Sequence, residues 1–166
     1  MNETLNAIFA RRSVRKYEAA PLTAEEMDLL LKAADAAPSA ANRQSTRIIG
    51  TQDAGLIKNL TDQFGSLFTY GAPALIFLYS LPVGGRWASF NAALAAENIC
   101  IAAESMGLNT VQLGCCYDML NGAGKAEWNA RLGLPEEASF ELVVAIGHGA
   151  ETPALRPRNP ENIKLL

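Results

Sequence analysis

The sequence predicts an α+β fold: a sheet of four or five short strands with helices on both faces. Three observations carry this. "LTAEEMDLLLKAADAAPS" opens with a helix-start signal and runs on with helical spacing. "PALIFLYSL" is a continuous apolar run of strand length, as expected of a strand covered on both sides. Trp87 to Met106 is a long Ala-, Leu- and Ile-rich helix ended by Gly107. Its polar positions, Asn91, Asn98 and Ser105 with Glu97 and Glu104 beside them, form a ridge repeating every seven residues. Such a helix is buried nearly all round, in the core or against a partner.

The elements follow in order. "NETLNAIFARR" places Leu5, Ile8 and Phe9 at helical spacing behind Asn2 or Thr4 as cap, with the arginines at the helix end. In the second helix Thr23 and Glu26 form a capping box, Leu22 and Met27 a staple, and Pro38 stops it. "TRIIGT" is a short strand. "DAGLIKNLTDQFGSLF" is expected as one helix capped by Asp53, with Ile57, Leu60, Phe64 and Leu67 on one face. After the central strand and long helix come strands "NTVQLG" and "FELVVAIGHG", separated by a Gly-rich helical stretch. Pro153, Pro157 and Pro160 predict an extended tail over 151–166, the end of a single domain of 1–166.

With 166 residues, 49% hydrophobic and 19% charged, the chain is long enough for one real core. Fourteen basic against 17 acidic residues give a net charge of −3, which argues against a general nucleic-acid binder. No apolar run reaches membrane-spanning length, and the N-terminal charges follow the apolar residues, the wrong order for a secretion signal; a cytoplasmic location without membrane contact is expected. One histidine, His148, and three cysteines without metal-ligand spacing give no metal site. His148 is expected as a strand-end residue, Cys115 and Cys116 as buried, unreactive thiols, and Trp87, Tyr70 and Phe68 as packing residues rather than substrate stackers.

Local charge is more informative than net charge. Arg11, Arg12, Arg15 and Lys16 crowd around Ser13, and Arg156 and Arg158 repeat the theme late in the chain. Arginine forks match carboxylate or phosphate, and several in one loop repel one another unless an anion sits among them. A solvated basic helix end is the alternative for the first cluster, and solubility of a surface tail for the second. In "APSAANRQ", Ser39, Asn42 and Gln44 offer groups that both donate and accept, as a planar heterocycle requires, although such loops are also ordinary connectors.

"RRSVRKY", "APSAANRQ", "NAALAAENICIAAESMGLNTVQLG" and "IGHGAETPALRPR", in that order, resemble the nitroreductase-like flavoprotein family over nearly the whole chain. The resemblance implies a mainly antiparallel sheet in an intertwined homodimer with FMN at the subunit interface. Hydride would pass from NADH or NADPH to nitroaromatic, quinone or similar small-molecule acceptors by a ping-pong mechanism. It places Arg11 on the FMN phosphate, Arg12 and Ser13 on phosphate and ribityl, and Arg15 near N1 and O2 of the ring. Pro38, Ser39, Ala40 and Asn42 would reach the flavin from the other subunit. Gln112, Leu113 and Gly114 would lie beside N5, and Arg156 and Arg158 would close on the phosphate. No side chain needs to act as acid or nucleophile, because the flavin itself takes the hydride.

The chain departs from that pattern in places. "STR" follows Gln44 where relatives often have Pro and an aromatic, Asn91 stands where many have an acid, and Gln63 is the nearest candidate for an amide contact to the flavin pyrimidine. Two other readings keep the flavin. One is a flavin-binding or flavin-sequestering protein without turnover, the other a flavin-fragmenting or dehalogenating relative.

Overall fold

A computed structural model describes residues 2–165. Helix α1 (Glu3–Ala10) starts at Asn2, whose side chain accepts the Leu5 N–H. Helix α2 (Ala24–Asp35) carries the reciprocal Thr23–Glu26 capping box. Then follow β1 (Thr46–Thr51), α3 (Ala54–Phe64), the single turn α4 (Ser66–Thr69), β2 (Ala74–Ser80), α5 (Ala88–Ser105), β3 (Asn109–Leu113), α6 (Cys116–Asn121), α7 (Lys125–Arg131) and β4 (Ser139–Gly147).

The four strands form one antiparallel sheet in the order β1-β2-β4-β3. Successive side chains alternate between its faces, so each central strand serves two cores. Ala74, Ile76, Leu78, Val144 and Ile146 pack under α2 and α5. Leu75, Phe77, Val143 and Ala145 pack against α3, α4, α6 and α7, around the fully buried Phe68 and Trp128. The alanines of α5 that meet the sheet, Ala92, Ala95, Ala96 and Ala103, are buried.

One expectation needs correction. The helix from Asp53 does not run through to Phe68: Gly65, at φ 89° and ψ 164°, breaks it. Rotation of the chain there turns Leu67 outward, 69% exposed, and puts Phe68 into the core. Helix α5 buries its core face within the single chain and exposes Phe90 (64%) and Leu94 (46%). Helix α1, which packs on α5, buries only Ala7 and leaves Leu5, Ile8 and Phe9 open.

The polar ridge of α5 turns inward at Asn91 and Asn98 and reaches solvent at Ser105. Asn98 Nδ2 donates to the Ala33 carbonyl of α2 at 3.0 Å, and Asn91 is buried. These amides tie the long helix to the end of α2 and to the loop that follows it. From Glu151 to Leu165 the chain carries only the turn Pro160–Asn162, in keeping with an extended tail. No helix among the described residues is long and apolar enough to cross a membrane.

Candidate functional site

The segment after α1 is stitched to the edge of the sheet. The Val14 N–H donates to the Thr110 carbonyl on β3 at 3.0 Å, the Glu18 N–H to His148 at 2.9 Å, and the Ala150 N–H to Lys16 at 2.8 Å. Ser13 and Thr110 form a parallel bridge, and Tyr17 and Gly149 an antiparallel one. The Tyr17 hydroxyl donates to the Val14 carbonyl at 2.7 Å; burial pushes its pKa up, so it stays a neutral donor. Gly149 lets this seam close: a Cβ there would lie 2.4 Å from Asn109 Oδ1, the atom that accepts its N–H.

The stitching brings the two basic segments together. Arg11, Arg12, Ser13 and Arg15 share a cleft of about 230 Å³ with Pro153, Leu155, Arg156 and Arg158 of the tail. Each arginine of the first cluster has its own support. Arg11 Nε lies 3.2 Å from Glu97 Oε1 of α5, whose other oxygen accepts from Gln112 Nε2 at 3.1 Å. Arg12 folds back and donates through one terminal nitrogen to the carbonyls of Phe9, Ala10 and Arg11, at 2.7–2.8 Å, so part of its fork caps α1. Arg15 stands over the Tyr70 ring at 5.8 Å, and its backbone N–H donates to Glu151 Oε1 at 2.6 Å. Among the described residues Arg12, Arg15, Arg156 and Arg158 make no ion pair. Cations without ion pairs thus converge on one cleft in a molecule of net charge −3, a charge arrangement suited to an anion.

At the C-terminal end of β3 the expected residues divide. Leu113 is buried in the core, so its side chain is not available to a ligand. The Gln112 amide is turned to Glu97 and to Cys100 Sγ at 3.5 Å. Gly114 is exposed, and a Cβ built on it meets nothing within 4 Å, so there is room for a flat group beside its backbone.

Pro38, Ser39, Ala40 and Asn42 do not line the arginine cleft. Pro38 and Ser39 edge a separate small hollow with Gln44, Thr46 and Asn91. Ser39 Oγ accepts the Gln44 N–H at 2.8 Å, and Asn42 sits at a left-handed φ of 52°. A single chain thus holds two halves of the expected site apart.

The remaining residues singled out in the sequence lie as follows. Gln63, exposed on α3, accepts the Trp128 indole N–H on its Oε1 at 3.1 Å. Phe68 is core, Tyr70 lies under Arg15, and Trp87 pairs with Phe90 at 5.6 Å on the exposed side of α5. Cys116 and Cys100 are buried; burial pushes the Cys116 thiol up to about 12 and raises Cys100 as well. Cys115, expected to be buried, is exposed, because α6 begins there and turns Cys116 inward instead. No cluster of potential metal ligands occurs among the described residues. Glu97, Glu151 and Tyr17 were not foreseen as supports: the pairing beside β3 brings in Glu151 and Tyr17, and the packing of α1 on α5 brings in Glu97.

Comparison with known proteins bears on the fold and the family. The model of the nitroreductase family matches residues 8–67 and 60–148. The chain is 31% identical over 180 residues to an NADPH-flavin oxidoreductase of Vibrio harveyi, covering 98% of this chain and 72% of that protein. A crystal structure of a nitroreductase with bound FMN from Desulfitobacterium hafniense superposes with a TM-score of 0.89 at 26% identity, over 100% of this chain and 99% of that one. An NADPH:FMN oxidoreductase from Vibrio harveyi, complexed with NAD+, superposes at 0.82 and 26% identity, over 97% of this chain and 75% of that one.

Proposed function

The chain belongs to the nitroreductase family, and from that premise we propose that it is an NAD(P)H-dependent FMN oxidoreductase working as a homodimer. The observation that carries the reading is the cleft in which Arg11, Arg12, Ser13 and Arg15 meet Arg156 and Arg158, more than a hundred residues away in sequence. Its cations fit a phosphate, and the open space beside Gly114 fits a flat ring.

Bound FMN supplies hydride acceptance and donation at its ring. The chain binds and orients. Arg156 and Arg158 close on the phosphate with Arg11, Ser13 and the free part of Arg12. Arg15 places a fixed positive charge at the ring, where the field of a preorganised cation favours added negative charge. The Gly114 backbone lets the ring come close, since no side chain stands there. Pro38, Ser39, Ala40 and Asn42, remote from the arginine cleft in their own chain, complete the site of the second copy. The exposed apolar side chains of α1 and α5 are the contact surface that brings the two copies together. Nicotinamide nucleotide and acceptor would use the bound ring in turn, a ping-pong order, with electron-poor small molecules such as nitroaromatics or quinones as the acceptor class.

Purified protein should carry, or take up, yellow FMN, and anaerobic NADH or NADPH should bleach it. Absence of flavin with no uptake of added FMN would rule the reading out. Flavin that binds and stays oxidised with both nucleotides would leave a binding protein instead.

A further inference from the structure

The loop between α2 and β1 has an unusual backbone. Ala41, Asn42 and Gln44 have φ of 52°, 52° and 48°. Left-handed conformations are uncommon outside glycine and cost of order 1 kcal/mol each, so three among four neighbours persist only where the surroundings impose them.

The hold comes from α5. Asn91, 4% exposed, accepts the Ala40 N–H on Oδ1 at 3.0 Å and donates through Nδ2 to Ser45 Oγ at 3.1 Å. One buried amide thus pins both stems of the loop, before and after the left-handed residues. Inside that frame Ser39 Oγ takes the Gln44 N–H, and Arg47 reaches the Gln44 carbonyl at 2.7 Å.

We propose that Asn91 is a positioning residue for the flavin ring: it fixes the Ser39–Gln44 loop in the one backbone shape that meets the ring bound by the second copy. The proposal rests on the FMN reading above. Asn91 acts through Ala40 and Ser45, and its effect belongs to the ring end of the cofactor rather than to the phosphate.

The test titrates FMN and riboflavin, which lacks the phosphate, into flavin-free wild type, Asn91→Ala and Asn91→Asp, following flavin fluorescence and the visible band. Aspartate can accept from Ala40 with one oxygen and from Ser45 with the other, because a hydroxyl turns freely from acceptor to donor. Asn91→Ala should weaken FMN and riboflavin by a similar factor, about five- to tenfold for two lost buried hydrogen bonds. Asn91→Asp keeps both bonds at the cost of a buried charge, so it should recover part of that affinity and the wild-type band shape. Ser45→Ala, a milder change should Asn91→Ala fold poorly, should weaken both ligands about two- to threefold. Wild-type affinity in Asn91→Ala, no recovery in Asn91→Asp, or a loss confined to FMN would each overturn the proposal. In all three outcomes wild-type binding leaves the FMN reading standing; failure of the wild type to bind FMN removes both.

Discussion

At the scale of single residues, the phosphate and ring parts of the proposed site make opposite demands on a side chain. Arg158 is exposed and makes no ion pair among the described residues, a charge suited to a phosphate. Lys164 lies in the same tail outside the cleft. Arg158→Ala should therefore weaken FMN about tenfold, the scale of one hydrogen bond to a charged group, while Lys164→Ala changes it little. Equal effects in a fluorescence titration would remove the phosphate role. At Gly114 the demand is for absence. Since a Cβ meets nothing there, Gly114→Val should leave the thermal midpoint nearly unchanged yet lower FMN affinity at least tenfold by filling the space a ring needs. A variant that binds FMN normally would mean the ring lies elsewhere.

At the scale of elements, local chemistry and tertiary stitching divide the labour. The start of α2 is wholly local: the Thr23 N–H and hydroxyl donate to the Glu26 carboxylate at 2.6 and 2.8 Å, and Glu26 N–H returns a bond to Thr23. The backbone bond to Thr23 first, then its hydroxyl, holds the Glu26 pKa below its ordinary 4.5. A lowered carboxylate contributes its stability above the unfolded value and loses it as pH falls through the lower folded value. Thr23→Ala should cost about 1 kcal/mol at neutral pH in denaturant melts. Glu26→Gln should flatten the decline of stability below pH 4.5; an unchanged acid limb would show the carboxylate to be uninvolved. Such short-range signals are why this cap, the Asp53 cap and the strand Thr46–Thr51 were legible in the sequence. The break at Gly65 was not, because the apolar spacing runs on through it, and only packing decides that Phe68 rather than Leu67 enters the core. Within the site, the arginines and the polar loop could be read from residue type. Their supports could not, since Glu97, Glu151, Tyr17 and Asn91 reach them from distant positions in the chain.

At the scale of the whole molecule, the placement of apolar surface and the division of the site point to one arrangement. Helix α1 exposes Leu5, Ile8 and Phe9, and α5 exposes Phe90 and Leu94, although the two helices pack on each other. A monomer gains nothing by keeping this surface in water, at about 25 cal/mol for each Å² left unburied. A second copy would cover it and bring its Ser39–Gln44 loop to the first copy's arginines. Phe90→Asp separates these ideas. The residue is 64% exposed in the single chain, so the substitution leaves both cores intact. At the centre of a dimer contact it would bury an unpaired carboxylate, which costs several kcal/mol. Phe90→Asp should sediment as a folded monomer with wild-type circular dichroism, and its FMN affinity should fall more than tenfold because half of the ring contacts are gone. A variant that stays dimeric would place the contact elsewhere, and a monomer that keeps wild-type FMN affinity would show that one chain holds the whole site.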